Sequence, residues 1–566
     1  MDKKDKNGNR SKRVIGLLLV CMIFALSACS GKNNTGSDTT AQTGEGESTI
    51  ETESIEDESI EAESIEAEPT GDATIKTVDS TLGETTADEV IVAEMTKKEK
   101  AAYKSFDGLY EAEDGVLKGG VKTGHKKKGF SGSGYVEGIE NDGDGCEFII
   151  KVPVTGFYDL NFISASFDGY KENIITVDKN NIGFANAEEK NFSNSIISKV
   201  YLTKGEHSVT MTKSWGWIYL DCLKVKASAP TDEGVFQVKK KLINLKADDN
   251  TKRLMSFLVD SYGKYTLSGQ NADKGRNSKE INAISKVIDG KVPAILGLDL
   301  IEYSPSRVEK GSTSKAVEYA IEYDELGGII SLCWHWNAPT KYLTTSEPWW
   351  SGFYTKATSI DLAAIMKGED KEGYKLLVSD IDAIAVQLKR LEDAGVPLLF
   401  RPLHEASGGW FWWGAAGPEA YKELWYLMYD RLTNYHKLNN LIWVWNGQNK
   451  DWYPGDKYVD MIGEDIYPGE KVYTSQVAKF NSALNYTDTN KIIALTENGC
   501  LFDPDLAFRD DARWSWFTTW SGDFVVNSNG DLSEQYTEEY MIQKVYNHEL
   551  VLTLDELPNL KTYPIK

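Results

Sequence analysis

At 566 residues the chain is too long for one ordinary domain, and its 86 acidic against 62 basic residues leave a formal net charge of -24. That acid excess argues against nucleic acid and against electrostatic adhesion to anionic lipid. Aromatics at 11% with 16 tryptophans suit a large core and equally a protein that stacks on flat apolar ligands.

The first element is a leader. Lys3, Lys4, Lys6, Arg10, Lys12 and Arg13 precede an apolar run from Val14 to Leu26, and Leu26-Ser27-Ala28-Cys29 closes it. A basic segment followed by a short apolar one predicts a signal peptide over residues 1–28. An apolar run of about 13 residues falls short of the roughly 20 that a membrane span needs. The cysteine behind small residues resembles the bacterial lipoprotein box. That resemblance implies lipidation at Cys29 and a chain held on the cell membrane by a lipid anchor, facing outward. Cys21 lies in the removed segment. Cys146, Cys222, Cys333 and Cys500 are scattered and form no CxxC, so neither a disulfide framework nor zinc is indicated. A Cys146–Cys222 pairing stays open.

Residues 29–102 are rich in Gly, Ser, Thr and acid, with ESIED-ESIEA-ESIEA at positions 53–67. Such a segment buries too little apolar area to offset its ordering entropy, and its like charges extend it. It predicts a disordered acidic linker, read as a spacer rather than a binding tail.

Residues 103–229 change to short alternating runs: CEFIIKVPV, YDLNFISAS, NIITVD, SKVYLT, HSVTMTK and WIYLDCLKV, separated by Gly-, Asp- and Asn-rich turns. Period-two alternation with regular turns predicts an all-β sandwich. Glu111 and Glu113 share one strand face, which suits calcium but is common on solvated strands. The stretches YEAEDGVLKGG, SGSGYVEG and SWGWIYLDCLKV resemble carbohydrate-binding module family 35. The resemblance implies a structural calcium ion held by Glu111, Glu113 and Asp221, and stacking of sugar on Trp217, with Trp215 either a second platform or core.

From residue 234 to 566 strands and helices alternate. The strand candidates are TLSGQ, VPAILGLDL, GGIISLCWHW, VPLLFRPLHE, LIWVWNGQ, VDMIGEDIYP, KIIALTENG and a stretch near FTTWSGDF. The intervening helices stop at Gly327 and Gly395, and a third opens with Pro418 ahead of the stripe Tyr421, Leu424, Trp425, Met428 and Leu432. Eight apolar strands with helices between them predict a (β/α)8 TIM barrel.

In such a barrel the chemistry sits at the C-terminal strand ends. There the chain places His335 and Trp336, then Arg401, His404 and Glu405, then Asn446, Asp465 and Tyr467, and last Glu497 and Asn498. Two glutamates on opposite strands beside FRPLHEASGGWFWWG suit glycoside hydrolysis, which needs a carboxyl pair in an aromatic cleft. Trp410, Trp349, Trp350 and Trp520 are candidates for the cleft wall, against simple core packing.

RPLHEASGGWFWWG and ALTENG, with the WHWNAP and GEDIYPG stretches, resemble glycoside hydrolase family 26 over the whole barrel. The family is dominated by retaining endo-β-1,4-mannanases. The resemblance implies Glu405 as proton donor and acid/base, Glu497 as nucleophile, and mannan, galactomannan or glucomannan as substrate for a monomer needing no cofactor in catalysis. His335, His404, Arg401, Asp465 and Tyr467 are expected to bind the sugar. Two rivals stay open: a β-1,3-1,4-glucanase or β-1,3-xylanase on the same scaffold, and a surface lipoprotein that binds glycans without cutting them.

Overall fold

The computed structural model describes residues 95–166, 169, 171–187, 190–214 and 216–565. The expected leader, Cys29, the acidic linker up to residue 94 and Trp215 lie outside the described residues. The described residues belong to one compact unit.

The chain enters through a helix, Lys97–Lys104, started by a capping box in which Thr96 and Glu99 satisfy each other's backbone N–H. Its residues 97–102 fall within the stretch expected to be linker, and Tyr103 and Lys104 within the expected sandwich. They order because Met95, Ala102 and Tyr103 pack on the sandwich core, and Tyr103 Oη donates to the Phe157 carbonyl at 2.5 Å.

Eleven strands then build the sandwich: β1 (Asp107–Glu111), β2 (Val116–Lys118), β3 (Lys122–Gly124), β4 (Tyr135–Glu137), β5 (Gly145–Val152), β6 (Gly156–Ser166), β7 (Lys171–Val177), β8 (Asn180–Ala187), β9 (Ser193–Leu202), β10 (Gly205–Thr212) and β11 (Ile218–Ala227). One antiparallel sheet runs β3-β4-β11-β6-β9, with β1 also on β11, and the other runs β2-β5-β10-β7-β8. Alternating residues such as Phe148, Ile150 and Val152 fill the core against Leu160, Phe162 and Leu220. Strand β8 escapes the sequence pattern because NNIGFANA mixes Asn and Gly with few apolar residues and stays half-exposed. Cys146 on β5 donates to the Ala112 carbonyl and Cys222 on β11 lies against Asp221, so both thiols are buried and free rather than paired.

The barrel closes from eight parallel strands, β13 (Gly269–Asn271), β14 (Ile295–Asp299), β15 (Ile329–Trp334), β16 (Leu398–Pro402), β17 (Leu441–Trp445), β18 (Met461–Ile466), β19 (Ile492–Asn498) and β20 (Phe517–Thr519). The ring shuts where Gln270 pairs with both Leu296 and Thr519. A two-stranded ribbon, β12 (Thr266–Leu267) with β21 (Val551–Leu552), lies outside the closed ring. The helices Ala316–Glu325 and Lys371–Asp393 end ahead of Gly327 and Gly395, whose φ of 90° and 74° a side chain would resist. The helix Pro418–Tyr429 buries its predicted stripe against the barrel.

Candidate active site

The polar residues at the strand ends converge on one mouth, and two register shifts aim them. β19 carries an extra residue, Thr496, against the consecutive β18 residues Glu464 and Asp465, which sets Asp465 opposite Glu497, and its pairing with β20 is irregular between Leu495 and Asn498. Bulges of this kind re-aim side chains next to active sites.

Arg401 is the hub. It is 1% exposed, and its Nη1 donates to Asn446 Oδ1 at 2.9 Å and Asp465 Oδ2 at 2.8 Å, while Nη2 donates to Glu497 Oε1. Tyr467 Oη donates to Glu497 Oε2 at 2.7 Å, so both oxygens of Glu497 are acceptors in fixed directions. Asp465 Oδ1 in turn accepts from Thr496 Oγ1 at 2.7 Å. The guanidinium is buried among carboxylates, and although burial opposes its charge, Asp465 and Glu497 hold it protonated.

Glu405 sits just past β16. Its backbone is left-handed, with φ 52° and ψ 28°, and its N–H donates to the Asn446 carbonyl at 2.8 Å. That conformation costs a residue with a β-carbon about 1 kcal/mol or more; here the neighbouring strand end secures it. Oε2 accepts from Trp410 Nε1 at 2.9 Å. Burial first, and the charge of Glu497 second, push the Glu405 carboxyl up to about 7, against the Trp410 bond and the positive charge of Arg401 and His335. Carboxylate oxygens of Glu405, Asp465 and Glu497 lie within 4.8 Å of one another. One protonated acid and one carboxylate held by donors thus face each other across the mouth.

A second polar chain runs alongside. Asp299 Oδ2 lies 2.5 Å from His335 Nδ1, and His335 Nε2 lies 3.1 Å from His404 Nε2. Burial opposes charge on both rings, but Asp299 outweighs it at His335 and holds that ring above the ordinary histidine range. At His404, burial, Arg401 and His335 all act together and hold it well below. Phe353, Phe411 and Trp520 pack edge-on against His335.

The sequence reading places Glu405, Glu497, His335, His404, Arg401, Asp465, Tyr467, Trp410 and Trp520 in or against this site, and several take other tasks than expected. Arg401 bonds to both Asp465 and Glu497 below the mouth. Trp336 is fully buried, stacked on Trp334 at 4.3 Å and donating to Asp380 at 2.8 Å, so it offers no face to a sugar. Trp412 and Trp413, in the aromatic run, are also buried and donate to the carbonyls of Trp336 and His404. Of that run only Trp410 keeps a partly open ring. Trp349 and Trp350 lie on the loop after β15, their carbonyls held by Asn337 and Arg307. Asp299 escaped notice, although it ends strand β14 by the same rule that marks the others. The barrel pairing that sets Asp299 against Cys333 brings it beside His335.

In the sandwich a second acidic cluster forms. The bulge between Leu220 and Cys222 leaves Asp221 out of the ladder, and Glu111 on β1 pairs with Cys222. Ser131 Oγ bridges Glu111 Oε2 at 2.8 Å and Asp221 Oδ2 at 3.2 Å. Glu113 Oε1 accepts from the N–H of Ser133 and Gly134, while its Oε2 is buried without a protein partner. Burial raises Glu111, and the charges of Glu113, Asp221 and Asp114 add to that against the Ser131 bond. Glu111 and Asp221 bring carboxylate oxygens within 4.8 Å of each other and of the Cys222 thiol; these carboxylates and the orphaned Glu113 oxygen are the donor type a hard divalent cation takes, and the thiol is not. Trp217 is 46% exposed on a left-handed backbone, φ 54°.

Residues 243–556 match the model of glycosyl hydrolase family 26, and residues 108–228 that of carbohydrate binding module (family 35). A mannan endo-1,4-beta-mannosidase of Thermothelomyces thermophilus is 40% identical over 455 residues, spanning 79% of this chain and 90% of that protein. The crystal structure of a beta-(1,4)-mannanase from Podospora anserina, with the same two family modules, aligns with a TM-score of 0.56 at 39% identity, covering 81% of this chain and 99% of that one. A ruminal endo-beta-1,4-mannanase of family 26 aligns with a TM-score of 0.56 at 29% identity over the same shares. With its eight-stranded barrel and its paired strand-end glutamates, the chain belongs to glycosyl hydrolase family 26.

Proposed function

We propose that this glycoside hydrolase is a retaining endo-β-1,4-mannanase, and the observation that carries the reading is the closeness of Glu405 and Glu497. Retaining glycosidases keep their carboxyl groups about 5–5.5 Å apart, whereas inverting ones leave about 6.5–9.5 Å for a water between them. Carboxylate oxygens within 4.8 Å support the first. Glu497, held by Arg401 and Tyr467, attacks the anomeric carbon and forms a glycosyl–enzyme bond. Glu405, kept protonated by burial, gives its proton to the departing glycosidic oxygen. It then takes a proton from the water that releases the sugar, and configuration is retained. Trp410 and Trp520 offer ring faces to sugar C–H groups, and His335 with His404 lines the pocket. Mannan as substrate is supported by the activity named for the relatives above. The test is a time-resolved NMR assay on β-1,4-manno-oligosaccharides, with viscosity and reducing ends compared across mannan, galactomannan, glucomannan, mixed-linkage glucan and xylan. The β-anomer should appear first and viscosity should fall ahead of reducing ends. An α-anomer first, or preference for mixed-linkage glucan or β-1,3-xylan, would reject the reading.

The sandwich is read as a mannan-binding module with Trp217 as platform and a structural calcium ion on Glu111, Glu113 and Asp221. At the N-terminus, the Leu26-Ser27-Ala28-Cys29 motif supports a lipid anchor that holds the enzyme outside a bacterial cell, near importers of its products. One acyl chain binds membranes marginally, whereas the two or three chains of a processed lipoprotein hold firmly.

A further inference from the structure

A contact between two imidazole nitrogens needs one protonated partner and one bare one, and the surroundings of His335 and His404 decide which is which. Asp299 faces His335 with both oxygens engaged: Oδ2 lies 2.5 Å from Nδ1, and Oδ1 accepts the backbone N–H of His335 at 3.1 Å and of Ile301 at 2.8 Å. A carboxylate that already accepts two amides leaves the proton on Nδ1. On the far side His404 stands in the field of Arg401, where a second cation is disfavoured, and its Nδ1 is buried without a partner. The other groups acting on His335 are Cys333, Arg401 and Glu497, with Glu405 within reach of its charge. Among these groups only Arg401 opposes a positive ring.

We propose that Asp299 is a positioning residue of the hydrolytic site: it fixes His335 as an imidazolium that donates to His404, and so keeps a cation within electrostatic reach of Glu497 and a neutral His404 whose remaining N–H is Nδ1. The inference rests on the hydrolytic reading of Glu405 and Glu497. It gives Asp299 a task that no substrate contact requires. A cation at His335 opposes the ionisation-resisting environment of Glu405, so it lowers the alkaline limb of the pH profile. Without the charge of Asp299, that limb moves up.

The test uses the full chain carrying ¹⁵N-labelled histidine. Six histidines give a tractable spectrum, and His335→Asn assigns the signal by its disappearance. Wild type should show His335 as an imidazolium above pH 7. Asp299→Asn keeps the shape but removes the charge; its amide oxygen takes the two backbone N–H groups and its NH2 faces Nδ1, so the ring should turn neutral with its proton on Nε2. The alkaline limb of kcat/KM should rise by about half a pH unit or more. A neutral His335 in the wild type overturns the proposal, and this arm holds even if the variant fails to fold. An even loss at every pH with an unmoved alkaline limb and an unchanged ring state also overturns it. The spectra need no substrate, so failure of the hydrolytic reading shows in the assay and failure of this one in the spectra.

Discussion

At the scale of single residues, Glu405 and Glu497 differ by environment rather than by chemistry. Glu497 is held from both sides by donors, and Glu405 meets one indole N–H in a buried pocket. A carboxyl raised to about 7 is a working acid only while it holds its proton. Activity should therefore fall as pH rises through about 7. The Trp410 N–H bond favours the charged form, so Trp410→Phe should shift the alkaline limb of kcat/KM upward while weakening mannan binding. A limb that moves down would contradict the assigned contact. Removing the acid, Glu405→Ala, should cost about 100- to 10,000-fold on mannan but far less on an aryl glycoside with a good leaving group. Glu497→Ala should abolish both. Equal losses on both substrates in the two variants would sink the division of roles.

At the scale of elements, the strands carry a stability cost beside the site they build. Glu464, one residue before Asp465 on β18, is fully buried on the barrel's strand wall. Burial raises its carboxyl from 4.5 to about 7, with only partial relief from Lys479 and Tyr486. For a raised acid, the stability it contributes is complete below about pH 4.5 and is lost as pH rises through about 7, at about 1.4 kcal/mol for each pH unit between those two values. Glu464→Gln should thus melt several degrees above wild type at pH 8, the gap closing below pH 5. A variant that melts lower at pH 8 would show that Glu464 is ionised and paired in the folded protein. In the sandwich, the turn Ser131–Gly134 is pinned by Glu111, Glu113 and Asp221. With calcium bound, chelation should lower the melting temperature of the sandwich. Indifference to chelator would reject the proposed ion site.

At the scale of the whole molecule, the sandwich is more than an appendage. Ala478, on the helix Val477–Leu484 that follows β18, packs against the sandwich core, and the Arg509 guanidinium lies 4.6 Å from the centre of the Tyr201 ring. A cleft of about 440 Å³ between them is lined by Asp178, Tyr201, Tyr473, Gln476 and Asp510, among others. The same β18 segment carries Tyr467 into the active site. Residues 234–566 expressed alone should therefore melt below the full chain, because the Ala478 and Arg509 surfaces lose their cover. Equal melting temperatures would show the junction to be energetically neutral. At the other end of the chain, Cys29→Ala should release activity from the membrane fraction or leave an unprocessed precursor. Wild-type activity found unlipidated in the medium would refute the anchor.

What the sequence determined by itself is what short-range pattern controls. Eight apolar runs of strand length, each ending in polar residues, announced the barrel, and the same rule put Glu405 and Glu497 on its mouth. Alternation announced β5–β7 and β9–β11 of the sandwich, missing β2–β4, whose three residues are too few to show a period, and β8, where Asn and Gly dilute it. The tertiary structure decided everything that depends on distances across the closed ring. Trp336, Trp412 and Trp413 have the composition of a sugar platform, yet barrel closure buries them and their N–H groups bond to the scaffold. Cys146 and Cys222 end up with separate neighbours on separate sheets, which no spacing along the chain encodes. Asp299 becomes the partner of His335 only because parallel pairing sets β14 beside β15. The gap between Glu405 and Glu497, on which retention turns, is likewise set by strand order and two bulges, since residues far apart in sequence meet only where the backbone ladder brings them.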